Sequence, residues 1–322
     1  ENMQQTLKLG KQIILFQNRR GYAPREMCMI CSWTPMCKNC DVSLTVHKFD
    51  PILKCHYCGH TEKQTVNCGA CGSNEVVMLG IGTQKIEEEI YEHFGEGIRV
   101  KRMDWDTTRK KSSFQEIIDQ FEQKEIDILV GTQMVSKGLD FDHVGLVGVL
   151  QADDLLHYPD FRAYERCFQL LTQVSGRSGR KNERGKVILQ SFDPHHWVIQ
   201  KVMEYDFKSL YKQELADRRH FKYPPFYKMI RLTLLHKDSG NLFTASNFLA
   251  NELRLHLNDR VLGPEFTIIP RIKNNYQQQI ILKIEKELSL SKVKAHIRQI
   301  LDTWSKREES KSVRVKIDVD PM

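Results

Sequence analysis

Over roughly the first two hundred residues, short apolar runs alternate with stretches whose apolar residues recur every three or four positions. "IILF" (13–16) reads as a buried strand leading into a basic loop. "VVMLGIGTQKIEEEIYEHFG" gives an apolar run, a Gly-rich turn and a helix over 83–94, with Ile86, Ile90 and Phe94 on one face. "IRVKRMDWD" is strand-like, and "SSFQEIIDQFEQKE" is a helix turning Phe114, Ile117, Ile118 and Phe121 inward. "IDILVGTQ", "VGLVGVLQ" and "GKVILQSF" are further apolar runs, and a helix over 161–175 precedes the last. Such alternation predicts a parallel, doubly wound α/β sheet, with ligands bound beyond the carboxyl ends of its strands.

Near residue 193 the pattern changes. "HHWVIQKVMEYDFKSLYKQELADRRHF" is helical with its spacing interrupted at Asp206, and "YPPFY" ends it, since proline cannot continue a helix. The remainder reads β, α, β, β, α, β, which predicts a small ferredoxin-like α+β domain. The expected organisation is a discontinuous α/β domain (1–25 and 77–205) interrupted by a cysteine-rich insertion (26–76). A linker helix with its Pro-Pro turn (206–225) and the C-terminal domain (226–322) follow. "ENMQQTLKLG" reads as a helix already under way, which suggests a piece of a longer protein.

Composition adds little to this organisation. Charged residues make up 28% and hydrophobic ones 40%, as in ordinary globular proteins. The longest apolar runs fall short of the ~18 residues of a membrane span, and no basic-then-apolar leader opens the sequence. A reducing, cytoplasmic setting is therefore expected. The net charge of +7 permits an anionic partner without requiring one.

Cysteine usage is far more informative. Eight of nine cysteines form four C-x-x-C pairs between 28 and 71. In a reducing compartment structural disulfides rarely persist, and a redox C-x-x-C normally stands alone. Four pairs in one short segment instead suit tetrahedral thiolate coordination of two structural Zn²⁺ ions, with iron–sulfur the competing use. Only five residues separate the first two pairs, against ~15–20 in a usual zinc ribbon, whereas fourteen separate the second from the third. A nested arrangement follows: Cys37, Cys40, Cys55 and Cys58 inside, Cys28, Cys31, Cys68 and Cys71 outside. Spacing leaves an interleaved arrangement open. Glycine follows the second cysteine in "CHYCG" and "CGACG", where a knuckle often needs positive φ. Eight thiolates already fill two closed sites, so His47, His56 and His60 read as surface residues.

Two further stretches carry candidate chemistry. In "QVSGRSGR" (173–180), Gly176 and Gly179 let the backbone approach a ligand, while Arg177 and Arg180 supply permanent, bidentate charge suited to phosphate. A solvated Gly-Arg loop is the plainer alternative. "ILVGTQMVSKG" (128–138) offers Thr132, Gln133 and Lys137 after a strand for nucleic-acid phosphates; an ordinary polar βα turn reads equally well. Arg19 and Arg20 could touch DNA phosphate or merely be solvated.

"GTQMVSKG" and "QVSGRSGR" resemble motifs V and VI of superfamily 2 helicases. Together with "NRRGYAP", "LGIGTQKIEE", "DWDTT", "YPPF", terminal "DVDP" and the eight cysteines, they resemble the bacterial replication-restart helicases along the whole sequence. The resemblance implies a RecA-like helicase lobe 2 carrying a two-zinc insertion, followed by a C-terminal domain similar to the ribosomal S10 fold. It supports nested zinc pairing. It makes Arg180 the arginine finger, sets Arg177 and Gln173 toward nucleotide phosphates, and has Gly138 and Asp140 couple the ATP site to DNA. It implies 3′ to 5′ unwinding with ATP and Mg²⁺, and a nucleoid-associated, non-membrane protein. Implied partners are branched fork DNA, single-stranded DNA, single-strand-binding protein and primosome or helicase-loading proteins. One departure matters. No G-x-x-x-x-G-K-[ST] P-loop occurs: Gly10-Lys11 precedes Gln12 and "RGKV" also fails, while a DExH-like box is lacking too. The residues present are therefore not expected to hydrolyse ATP alone.

The rival class is a zinc-ribbon adaptor that only docks proteins, which gives no reason for a motif VI. A nuclease lacks a convincing carboxylate cluster. Asp153 and Asp154 read as a helix-capping or solvated pair, Cys167 as a packing thiol, and Trp33 as either a stacking platform or packing on the knuckles.

Overall fold

The computed structural model describes residues 1–17, 25–47, 52–64, 66–79, 83–104, 107–108, 111–136, 141–177 and 185–321. Helix α1 (Asn2–Lys8) precedes strand β1 (Gln12–Gln17). The cysteine segment holds β2 (Arg25–Cys28), β3 (Thr45–His47), β4 (Ile52–Lys54), β5 (Thr61–Lys63) and β6 (Val76–Leu79). Then come α2 (Thr83–Phe94), β7 (Val100–Met103), α3 (Lys111–Glu122), β8 (Ile128–Gly131), β9 (Val144–Leu150) and α4 (Asp153–Leu156). These are followed by α5 (Ala163–Ser175), β10 (Lys186–Leu189), α6 (Trp197–Met203) and α7 (Phe207–His220). The C-terminal elements are β11 (Tyr227–His236), α8 (Ser239–Leu257), β12 (Val261–Ile272), β13 (Asn275–Glu285), α9 (Leu290–Ser305) and β14 (Arg314–Val319).

The chain divides into two compact units, Glu1–Ala23 with Gly80–Glu214, and Pro24–Leu79 with Leu215–Met322. The first is built on a parallel sheet of order β10-β9-β1-β8-β7. β1 and β8 are buried along their whole length, as central strands covered on both faces must be. One face carries Ile117, Phe121, Phe168 and Leu171 from α3 and α5, the other Ile86 and Ile90 from α2. Gln12, polar at a buried strand start, donates from Nε2 to the carbonyls of Phe121 and Ile126, both at 2.7 Å. The helical stretch after 193 breaks at Tyr205, whose φ is +53°, and Asp206 accepts the N–H of Ser209 to start α7.

In the second unit the C-terminal sheet has the order β12-β13-β11-β14, all antiparallel, with α8 and α9 on one face. This is the βαββαβ arrangement expected from the pattern. Ile230, Leu232, Leu234, Ile280, Leu282 and Ile284 alternate inward against Leu249, Leu253 and Trp304. One apolar run departs from its sequence reading. Val76–Leu79, read as re-entry into the α/β domain, pairs antiparallel with β2 in a two-stranded ribbon, while β3, β4 and β5 form a separate small sheet. A four-residue apolar run states that it is covered, not by which neighbour.

Candidate functional site

The eight knuckle cysteines fall into two groups, Cys28, Cys31, Cys68 and Cys71, and Cys37, Cys40, Cys55 and Cys58. Within each, all sulfurs lie within 4.8 Å of one another. Adjacent Sγ atoms are 3.6 Å apart for Cys28 and Cys71, 3.6 Å for Cys31 and Cys68, and 3.5 Å for Cys37 and Cys58. A disulfide needs ~2.0 Å. A tetrahedron with metal–sulfur bonds of ~2.3 Å has edges of ~3.8 Å, so both groups fit zinc. Among the described residues no histidine joins either group; His60 instead meets Glu62 at 2.9 Å.

Backbone geometry explains why each knuckle gathers two sulfurs. The N–H of the first cysteine reaches the carbonyl five residues on in all four: Cys28 to Trp33, Cys37 to Val42, Cys55 to His60 and Cys68 to Ser73. In three, the residue after the second cysteine has positive φ and donates back to the first cysteine's carbonyl. These are Ser32 (+59°), Gly59 (+82°) and Gly72 (+75°). Backbone N–H groups also point at sulfur, from Asn39 to Cys37, His60 to Cys58 and Ala70 to Cys68, each at 3.4 Å. Such donors favour thiolate. Burial opposes ionisation of Cys58, but the His60 N–H and neighbouring thiols hold it at about 6, whereas burial pushes Cys37 up to about 12. Like charges packed so closely cannot all ionise without a cation, so metal binding must release protons. Trp33 packs on the outer knuckle: a Cβ at Gly69 would lie 2.7 Å from its ring.

In the first unit, Thr132 and Gln133 are half-buried and follow the end of β8. Gly131 is required there, because an added Cβ would lie 2.3 Å from Val135 and 3.0 Å from the Met103 carbonyl. The short 3₁₀ turn Gln133–Ser136 packs on α5, with Val135 sharing an apolar cluster with Leu171 and Val174. The last turn of α5 exposes Gln173, and half-buried Arg177 follows, its N–H bonded to the Val174 carbonyl at 3.0 Å. Two other quoted stretches meet at Asp104. Its carboxylate accepts the Thr83 hydroxyl at 2.6 Å and the Thr107 N–H at 3.0 Å, which ties the start of α2 to the end of β7. Arg19, Arg20, Lys137, Gly138, Asp140 and Arg180 lie outside the described residues.

Asp153 is buried and accepts from Ser191 Oγ (2.8 Å) and from the N–H groups of Phe192 (3.0 Å) and Asp193 (3.3 Å). It pins the segment after β10. Cys167 is fully buried, and burial with the nearby Asp153 charge pushes its thiol up to about 12, so it packs rather than reacts.

A parallel sheet with the turn after β8 leaning on the arginine-bearing helix, in a chain that also carries an eight-cysteine module and a βαββαβ domain, defines the C-terminal lobe of a helicase with attached modules. The helicase conserved C-terminal domain matches residues 70–182, the PriA DNA helicase Cys-rich region 37–63, and the primosomal protein N C-terminal domain 219–322. The chain belongs to the PriA family of replication restart proteins. It is 41% identical over 323 residues to replication restart protein PriA of Bacillus subtilis strain 168, covering 100% of this chain and 40% of that relative. It is 40% identical over 319 residues to that of Synechocystis, covering 97% of this chain and 37% of the relative. The chain thus spans about two fifths of the relatives' length. Among solved structures, the C-terminal domain of the DEAD-box protein Dbp5 is 13% identical, covering 67% of this chain and 88% of that one. Its TM-score is 0.30.

Proposed function

We propose that these residues form the C-terminal part of an ATP-dependent 3′–5′ DNA helicase that recognises stalled or abandoned replication forks and initiates primosome assembly. The reading rests on one observation above all: the turn carrying Thr132 and Gln133 packs on the helix that delivers Gln173 and Arg177. In this reading Arg180 and Arg177 stabilise charge on the transferred phosphoryl group, with Gln173, Gly138 and Asp140 beside the nucleotide. Thr132, Gln133, Lys137, Arg19 and Arg20 hold DNA phosphates. The Cys₄ groups hold one structural Zn²⁺ each. Closed four-thiolate sites have no open position, so the metal supplies folding energy and no reaction step. ATP and Mg²⁺ bind between this lobe and a nucleotide-cradling lobe elsewhere in the whole protein. The proposed domain bounds are those of the sequence reading, except that Val76–Leu79 goes with the cysteine-rich insertion. Branched fork DNA, single-stranded DNA, single-strand-binding protein and primosome loaders are its partners, in a cytoplasmic, nucleoid-associated setting.

The test uses the full-length protein. Arg180→Ala should lower DNA-stimulated ATP turnover by about 10³-fold or more while leaving DNA affinity nearly unchanged, as for other arginine fingers. Residues 1–322 alone should show no DNA-stimulated turnover. Equal ATPase rates for wild type and Arg180→Ala would favour the adaptor reading instead.

A further inference from the structure

The inner cysteine group differs from the outer one in a way that reaches the C-terminal domain. In three knuckles the residue after the second cysteine closes the loop on its own chain. At the fourth, Cys37–Cys40, that residue is Asp41, and its N–H goes instead to the Arg271 carbonyl at 2.9 Å. Likewise, Cys58 receives a sulfur-directed N–H from His60, two residues on, whereas Cys40 Sγ receives one from Lys273, at 3.2 Å. The β12–β13 hairpin therefore supplies two contacts that other knuckles make for themselves.

The hairpin tip is shaped for this. Lys273 (φ +51°) and Asn274 (φ +59°) form a two-residue turn between Ile272 and Asn275, which pair with each other. Positive φ at both central positions matches a type I′ turn, normally served by Asn-Gly. A lysine at the first position is unfavourable locally and calls for support from elsewhere. Both turn N–H groups are directed to the knuckle: Lys273 to Cys40 Sγ, and Asn274 to the Asn39 carbonyl at 2.8 Å. Asn274 Nδ2 adds a bond to Asn39 Oδ1 at 3.1 Å, Arg271 Nε meets Asp41 Oδ1 at 2.9 Å, and Ile272 packs on the cluster of Leu44, Val46 and Leu53.

We infer that the β12–β13 hairpin is an integral part of the inner metal centre, so that the C-terminal domain sets how tightly the inner metal is held and leaves the outer metal untouched. The inference rests on the reading that both Cys₄ groups bind zinc. Donors to a ligating atom hold it in place and typically change metal affinity by about 10- to 100-fold when lost. Arg271, Ile272 and Asn274 are positioning residues; Lys273 contributes its backbone N–H, not its side chain.

The test uses the complete chain loaded with zinc. Metal content is measured first, then competition with a chromogenic chelator, with amide exchange reporting residues 37–58 and 68–71 separately. The wild type should hold two zincs per chain. Arg271→Ala combined with Ile272→Ser should weaken one of them by about 10- to 100-fold. Exchange should rise at 37–58, remain unchanged at 68–71, and stay slow in β11 as evidence that the domain is folded. Lys273→Gly keeps the N–H and suits positive φ, so it should match wild type. Equal weakening of both metals, or of neither, in a variant with β11 protected would overturn the inference. A wild type binding no zinc would overturn the metal reading with it.

Discussion

The cysteine module and the βαββαβ domain share one compact unit, yet opposite means hold them together. Among the described residues around the inner group, the buried aliphatic side chains are Leu44, Val46 and Leu53, with Val42 and Ile272 partly buried against them and cysteines making up the rest. The C-terminal core draws on both helices and all four strands and includes Leu232, Leu249, Leu282 and Trp304. Burying such side chains contributes about 1.5–3 kcal/mol each, whatever ion is present. The module's stability is proposed to be conditional on a ligand, while the domain's rests on its apolar core. The largest effect that could break this contrast is metal removal. Stripping both zincs withdraws on the order of 10 kcal/mol per site. Amide protection should collapse over 28–71 and survive in β11 and β13. Protection persisting in the metal-free module would show that apolar packing alone suffices there.

The converse perturbation is smaller. Trp304 is buried, and its Nε1 donates to the Ala245 carbonyl at 3.0 Å. Trp304→Ala should cost the domain about 3–5 kcal/mol, while Trp304→Phe, which loses mainly the hydrogen bond, should cost about 1 kcal/mol. Urea unfolding of the domain, followed with and without zinc, checks this; the shift should be the same in both states to the extent that the domain's core is its own.

The same contrast explains what the sequence disclosed. Strands β11 and β13 and helices α8 and α9 each turn an apolar face inward, so alternation in "MIRLTLLH" and helical spacing in "LSKVKAHIRQILDTWS" are local signals. The knuckles are local too, since C-x-x-C with its following residue contains nearly all the geometry. Loop lengths favoured their nested assortment over an interleaved one without deciding it, and the gathered sulfurs are nested. What the sequence could not reveal is carried by backbone groups between distant segments. The N–H of Lys273 on Cys40 leaves no side-chain signature, and "RIKNNY" lacks the glycine that would have marked a tight hairpin. Val76–Leu79 was misplaced for the same reason. A hint did exist at the fourth knuckle, where aspartate follows the second cysteine in place of glycine; Ser32 shows how weak that hint is by itself.

A third perturbation probes packing inside the metal-held region. Gly69 sits under the Trp33 ring at a distance no Cβ tolerates. Gly69→Ala must displace the indole, which is half-buried and can move only part of the way. About 1–3 kcal/mol should be lost, as for other overpacked sites. On the proposal that metal folds the module, the loss should be read as faster zinc release from the outer group, with domain unfolding unmoved. A change in the urea midpoint of the C-terminal domain alone would contradict the proposed separation of cores.

Acid should separate the two regions by the pH at which each responds, and here the smallest effect is expected. Thiolates must be protonated for zinc to leave, so the module responds as soon as protons compete with metal. The domain's response is confined to carboxylates such as Glu285, whose hydrogen bond from Arg260 Nε at 2.7 Å holds it below the usual range although burial opposes ionisation. A depressed folded value means the contribution is present above the unfolded pKa of ~4.3 and is lost as pH falls through the folded value. Arg260→Ala should therefore cost less than about 1 kcal/mol near pH 7, since the pair is partly exposed, and less still as pH falls toward 3. Unfolding measured across pH 3–7 decides between charge and packing. If the difference persists undiminished at pH 3, Arg260 acts through its stem and its bond to the Leu257 carbonyl, and the ion pair contributes nothing.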